Sequence, residues 1–237
     1  MTKPFIFKQF RIHQDRCAMK IGTDGVLLGA WTPIGHRPLY ILDIGAGTGV
    51  VALMLAQRCQ AETIDAIEIN EDAYEQCVGN FEESVWADRL FCYHASLDEF
   101  VSEMDNKYDL IVSNPPFYPE IVPSGNESRD MARQNRSLPF ENLLKGVVKL
   151  LEENGTFTTI IPFKEEKKFL ELAAAIKLYP KRLMRIKGNP TSEIKRSLLE
   201  FHFKKTSIEI GYMTIELERH KYTKEYIDLT KDFYLKM

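Results

Sequence analysis

From Leu39 onward, short apolar runs alternate with amphipathic stretches, and this alternation constrains the fold more than any other feature of the chain. Leu39–Ile44 reads as a buried strand, followed by a glycine turn and a helix to about Arg58. Ile64–Glu68 reads as a strand, Glu71–Glu83 as a helix, Leu90–His94 as a third strand and Tyr108–Val112 as a fourth. After a long polar loop, Phe140–Leu151 is predicted helical, with Leu143, Leu144, Val147, Val148 and Leu151 on one face. Thr156–Ile161 is a fifth strand, and Glu165–Ile176 a last crossover helix. Strands joined through helices run parallel, so the expectation is an α/β protein with a doubly wound, mostly parallel sheet of seven strands.

The two ends follow other rules. Phe5–Gln14 alternates apolar and polar residues, with Phe10 and Ile12 on one face, and predicts a strand or hairpin. Ser197–Phe203 and Tyr212–Leu217 read as strands with no helix between them, which predicts an antiparallel edge to the sheet. Tyr222–Tyr234 is predicted as a terminal helix. No apolar run reaches the ~20 residues of a membrane span, so no membrane partner is expected. Cys17, Cys59, Cys77 and Cys92 are scattered without a C-x-x-C pair, which argues against a metal site and for free thiols in a reducing cytoplasm. None of these features encodes an oligomeric state.

The segment Asp43-Ile-Gly45-Ala-Gly47-Thr-Gly49 directly follows the first core strand and opens its helix. Its glycines permit a tight turn and close approach of a ligand to backbone. The spacing is G-x-G-x-G, with Val at position 50, which disfavours a dinucleotide-binding dehydrogenase. Asp43 would repel a pyrophosphate and suits a cation such as an amino-acid ammonium group. Glu68 ends the second strand, where an acid accepts ribose hydroxyls. A nucleoside that carries an amino acid and no phosphate satisfies both demands: S-adenosylmethionine. The structural alternative is a glycine turn with a helix-capping carboxylate.

Asn114-Pro115-Pro116-Phe117 follows the fourth strand. The prolines fix φ near −65°, and Pro115 biases Asn114 toward an extended backbone, so the Asn114 amide carbonyl and the Pro115 carbonyl are held as two acceptors. A planar exocyclic amine offers two N–H donors to such a pair, and Phe117 would stack on the ring that bears it. A Pro-Pro turn closing a buried strand, with Phe117 as a core aromatic, is the plain alternative.

In this order, Asp43–Gly49, Glu68 and Asn114–Phe117 resemble the class I S-adenosylmethionine-dependent methyltransferases that act on amino nitrogens. Three segments narrow the resemblance. Met19–Trp31, the Ala132-Arg133 pair (followed by Gln134 where His is usual) and the tail Tyr222–Leu235 are similar to the bacterial tRNA1(Val) adenine-N6 methyltransferases. That resemblance implies methyl transfer to N6 of the adenosine beside the anticodon, position 37, of a valine tRNA. It implies that Asn114, Pro115 and Phe117 are catalytic, that Asp43, Gly45, Gly47 and Glu68 bind the cofactor with Asn114 beside it, and that Lys20, Thr23 and Asp24 help enclose it. Ser96, followed by Leu97, aligns where many relatives hold an acid near the cofactor adenine, and Asp98 lies two residues on. On the residues alone, Thr23 or Asp24 equally caps a helix through Leu28. The expected organisation is a single methyltransferase domain over 1–237, with 1–36 an extension lining the cofactor site and 37–237 the core.

The net charge of −3 gives no global attraction to nucleic acid, but basic residues cluster. Lys181, Arg182, Arg185, Lys187, Lys195, Arg196, Lys204 and Lys205 crowd the C-terminal part, Lys3, Lys8, Arg11, Arg16 and Lys20 the N-terminus, and Arg129, Arg133 and Arg136 the loop after Phe117. Arg129, Arg133, Lys195 and Arg196 are the expected RNA contacts, each cluster being otherwise a solvated face. Three other readings stay open at this point. A protein-glutamine methyltransferase normally carries a helical N-terminal domain for which the thirty-odd residues before Leu39 leave little room. A guanine-N2 ribosomal RNA enzyme shares the core motifs, and a non-catalytic RNA-binding module would share the scaffold.

Overall fold

The computed structural model describes residues 3–17, 20–116 and 138–236. The N-terminus forms a small hairpin of β1 (Phe5–Ile6) and β2 (Arg11–Ile12), and α1 (Thr23–Trp31) follows. The core then runs β3 (Tyr40–Ile44), α2 (Val50–Arg58), β4 (Thr63–Glu68), α3 (Glu71–Glu82), β5 (Leu90–His94), α4 (Leu97–Glu103) and β6 (Tyr108–Ser113). Beyond the loop come α5 (Phe140–Leu150), β7 (Leu151–Pro162), a 3-10 turn (Phe163–Glu165) and α6 (Glu166–Ala175). β8 (Tyr179–Lys187), β9 (Ile194–His202), β10 (Glu209–Thr214), the short hairpin β11 (Glu216–Glu218) and β12 (Lys221–Tyr222), and α7 (Lys224–Thr230) complete the chain.

Among the described residues the main sheet has eight strands in the order β10-β8-β9-β7-β6-β3-β4-β5. β3 to β7 are mutually parallel, as the strand–helix alternation predicts. β9 lies antiparallel between β7 and β8, and β10 then pairs parallel with β8. The antiparallel element is therefore an inserted strand and not an edge. The eighth strand is β8, whose charges Lys181, Arg182, Arg185 and Lys187 conceal a strand in which Leu183 and Ile186 are buried. α4 and the β11–β12 hairpin are also unforeseen, Tyr222 pairing in β12 where a helix was expected to begin; α4 is short and acidic, but Ser96 and Glu99 form a reciprocal capping box at its start.

Strands buried on both faces need apolar residues at successive positions, and β6 shows the result. Leu110 and Val112 pack in the layer with α1, α2 and α3, while Ile111 packs in the opposite layer with α4, α5 and α6. At Gly29, a Cβ would stand 2.8 Å from Met54 Sδ, so glycine there lets α1 approach α2. The termini meet: Phe7 bridges to Tyr234, and the Lys8 backbone N–H donates to Phe233 O at 2.8 Å.

Winding reverses at β3, with β4 and β5 on one side and β6 and β7 on the other. Such a switch point opens a crevice at the carboxyl ends of the strands, between the turns that leave β3 and β6.

Candidate active site

The chain leaves β3 through three glycines with left-handed backbone: Gly45 (φ 74°), Gly47 (φ 55°) and Gly49 (φ 78°). The turn is fastened to the neighbouring strand. Gly45 and Ala46 N–H donate to Ile67 O at 2.9 and 3.1 Å, and Gly47 N–H donates to Glu68 Oε2 at 2.9 Å. The other carboxylate oxygen of Glu68 accepts from Asn70 N–H, also at 2.9 Å. Glu68 is thus oriented by backbone donors on both sides. A Cβ on Gly45 or Gly47 would meet nothing within 4 Å, because both face open space; at Gly49 it would stand 2.5 Å from Phe81 Cε1.

That open space is a cavity of about 300 Å³. Gly45, Gly47 and Glu68 line one part of it, Ser96, Leu97 and Asp98 another, and Asn114, Pro115 and Pro116 a third. The Ser113 hydroxyl donates to Ile44 O at 2.9 Å and pins the end of β6 to the end of β3, which sets Asn114 beside the glycine turn. Seven of the predicted site residues therefore converge: Gly45, Gly47, Glu68, Ser96, Leu97, Asn114 and Pro115.

Others stand elsewhere. Asp43 is buried behind the wall, with Oδ2 accepting from Ala52 N–H at 3.2 Å. Burial, aided by the Glu68 charge and opposed by the Ala52 hydrogen bond, pushes its carboxyl up to about 7. Lys20, Thr23 and Asp24 are not on the cavity wall. The expected side-chain cap on α1 is absent: Gly22 is the N-cap residue, Thr23 and Asp24 lie inside the first turn, and Asp24 pairs with Arg196 at 2.7 Å. Lys195 is exposed at the start of β9. Phe117, Arg129 and Arg133 lie outside the described residues.

The cavity also draws on residues that motif reading passed over. Asn70 caps α3 through Ala73 N–H at 3.0 Å, and the sequence signal for it is an Asn one residue before an acidic first turn. Ile69, half-exposed, and Asn142 of α5 add an apolar and an amide contact. Cys17 reaches the wall from the N-terminal segment; burial first, then the Glu68 charge, pushes its thiol up to about 11, so it is a neutral lining group. Asn80, 1 % exposed, ties that segment to the turn: Nδ2 donates to His13 O and Thr48 O, both at 2.9 Å, and Oδ1 accepts from His13 N–H at 2.8 Å.

The donor set fits a specific ligand. Glu68 and Asp98 are the charged side chains of the described wall, no Lys or Arg is among them, and Asp43 stands behind. A cationic nucleoside suits such a site and a polyphosphate does not. The glycines leave open space beside the turn, and Glu68 presents a carboxylate to it. Ser96 spends its hydroxyl on the capping box, donating to Glu99 Oε2 at 2.7 Å and accepting from Glu99 N–H at 3.2 Å. Asp98 lines the same part of the cavity and makes no hydrogen bond or ion pair among the described residues.

A doubly wound sheet with this turn, this acid and Asn-Pro-Pro at the switch point defines a class I methyltransferase, with S-adenosylmethionine as methyl donor. Solved structures agree on the fold. A predicted O-methyltransferase from Agrobacterium tumefaciens superposes with a TM-score of 0.68 at 16 % identity, covering 89 % of this chain and 96 % of its own. A ribosomal protein L11 methylase from Lactobacillus delbrueckii gives 0.55 at 18 % identity, covering 76 % and 77 %. The family model of the methyltransferase small domain matches residues 37–170. Among curated proteins, the tRNA1(Val) (adenine(37)-N6)-methyltransferase of Flavobacterium psychrophilum is 61 % identical over 98 % of this chain and 100 % of its own. The protein of the same name from Bacteroides fragilis is 45 % identical with both chains fully covered. The chain belongs to the tRNA1(Val) (adenine(37)-N6)-methyltransferase family.

Proposed function

We propose that this enzyme methylates N6 of adenosine 37, beside the anticodon, in a valine tRNA, working in the cytoplasm. One observation carries the reading: Asn114 and Pro115 open onto the same cavity as Gly45, Gly47 and Glu68. The acceptor of an amine and the holder of a nucleoside are therefore parts of one site. The printed names of relatives at 61 % and 45 % identity support the choice of substrate.

Bound S-adenosylmethionine supplies a methyl group made electrophilic by its sulfonium. Glu68, oriented by Gly47 and Asn70 N–H, holds the ribose hydroxyls, and the acidic wall favours the cationic ligand. The harder task concerns the nucleophile, because the N6 lone pair is delocalised into the purine. The Asn114 amide oxygen and the Pro115 carbonyl accept hydrogen bonds from N6–H and favour pyramidal nitrogen. These bonds strengthen as nitrogen gains positive charge, which lowers the barrier selectively. Restricting the approach of the two reactants supplies much of the remainder. The proton becomes acidic once nitrogen carries the methyl, so the chain needs no strong base. An aromatic ring such as that of Phe117 would suit a flipped-out adenine, and Cys17 of the 1–36 segment lines the same cavity.

The test supplies labelled S-adenosylmethionine and total tRNA from a strain lacking the enzyme, then digests the RNA. N6-methyladenosine in one valine tRNA is the expected product. Label in N2-methylguanosine, or only in protein, overturns the substrate assignment.

A further inference from the structure

The sheet carries a second built surface, away from the cavity. The Arg185 guanidinium on β8 is fixed on several sides. Nη2 donates to Glu166 Oε1 at 2.7 Å, Nε shares both Glu166 oxygens at 3.2 Å, and Nη1 donates to the Tyr212 hydroxyl at 3.1 Å. Glu166 is itself buried and accepts from the Ser197 hydroxyl. The Phe163 ring centroid lies 5.4 Å from Arg185 Cζ, and that of Tyr212 5.8 Å. A cation held between two rings keeps Tyr212 in place, although the residue is 64 % exposed. No mechanism described above uses it.

Its position is informative. Tyr212 pairs with Arg185, Arg185 with Ser197, and Ser197 with Ile161, just below the carboxyl end of β7. β10 is four strands from β6, so Tyr212 stands about 19 Å from the Asn114 column at the usual ~4.8 Å strand spacing. Lys164, Lys187 and Lys195 line the same end of the sheet, Lys164 and Lys195 exposed. Glu165, 3.8 Å from Lys164 Nζ, makes a loose, partly exposed pair that phosphate would readily replace.

We propose that Tyr212 is a subsite for a second nucleobase, which rests on the RNA reading above. An unpaired base several nucleotides from the target adenine stacks on the outer face of the ring, while intervening phosphates meet Lys164, Lys187 and Lys195. Every base offers a π-face, and an aromatic surface framed by cations is the pattern that holds single-stranded nucleic acid. A rigid ring also loses little freedom when the base arrives.

Kinetics and binding with Tyr212→Ala and Tyr212→Phe test the subsite, using tRNA for turnover and an RNA hairpin bearing the anticodon loop for binding. Tyr212→Ala should raise KM for tRNA and Kd for the hairpin about tenfold, the loss typical of removing one stacking ring. Its kcat and cofactor affinity should stay within about twofold of the parent, and the salt slope of binding should be unchanged, because no phosphate contact is lost. Tyr212→Phe keeps the ring and should behave as the parent. Equal loss in both variants, or parental KM and Kd in Tyr212→Ala, overturns the subsite. Failure of the parent enzyme to methylate tRNA adenine would overturn the substrate assignment instead, and the hairpin measurement separates the two.

Discussion

At the scale of single residues, Asn114 and Asp43 make opposite contributions. Asn114 sits on the cavity wall, where the proposed mechanism needs an acceptor for the substrate amine. Asn114→Ala is expected to lower turnover by at least about a hundredfold, the usual loss for one oriented transition-state partner. Cofactor affinity, measured by calorimetric titration, should stay near that of the parent. Asp43 acts through its burial. Its folded carboxyl titrates at about 7, above the ordinary 3.8, so between those values the folded state keeps a proton that the unfolded state has lost. Stability from this group is complete below about pH 4 and is lost as pH rises through 7. In Asp43→Asn that part of the decline should vanish, so the melting temperatures of parent and variant diverge between pH 4 and 7. Parallel curves would remove Asp43 as the cause. Both residues stand out in the sequence because motif chemistry depends on residue type and order. The depth of Asp43 was not, since burial is decided by what α2 lays over it.

At the scale of elements, legibility followed apolar runs set between helical stretches. The strands β3 to β7, flanked by helices, announce themselves as apolar runs. β8 alternates charge with apolar residues and reads as a basic cluster, although two of its arginines are committed to structure. Arg182 Nε pairs with the buried Glu200 at 2.8 Å and its guanidinium lies over Trp31, while Arg185 is held by Glu166. Lys195, by contrast, is exposed at the start of β9. The contact between α3 and the N-terminal segment was also hidden, because an Asn in a helix gives no signal of distant partners. Asn80→Ala would strip one buried and two partly buried backbone groups of their partner, at a cost of about 2 kcal/mol. Since one of them is Thr48 O in the glycine turn, cofactor affinity should fall with stability. Thermal melting and cofactor titration measure the two, and unchanged affinity would detach the N-terminal segment from the site.

At the scale of the whole molecule, charge is distributed against its net value. A chain of net charge −3 carries an acidic cavity and, at the β7–β9–β8 end of the sheet, Lys164, Lys187 and Lys195. Binding of tRNA should therefore weaken steeply with salt, and Lys195→Ala should reduce the slope of log K against log salt by about one. A flat response in the parent would exclude phosphate contact as the source of affinity. The order of the strands has a further consequence for how the chain is made. β8 leaves the ribosome before β9, yet both it and β7 pair with β9 and not with each other. Until residue 202 has emerged, the nascent chain holds two open strand edges that lack their shared partner, an arrangement prone to wrong pairing. The residues that line the cavity from β3 to β6 are by then already synthesised, so the last strands to arrive are the ones that close the sheet and carry the end proposed to face RNA.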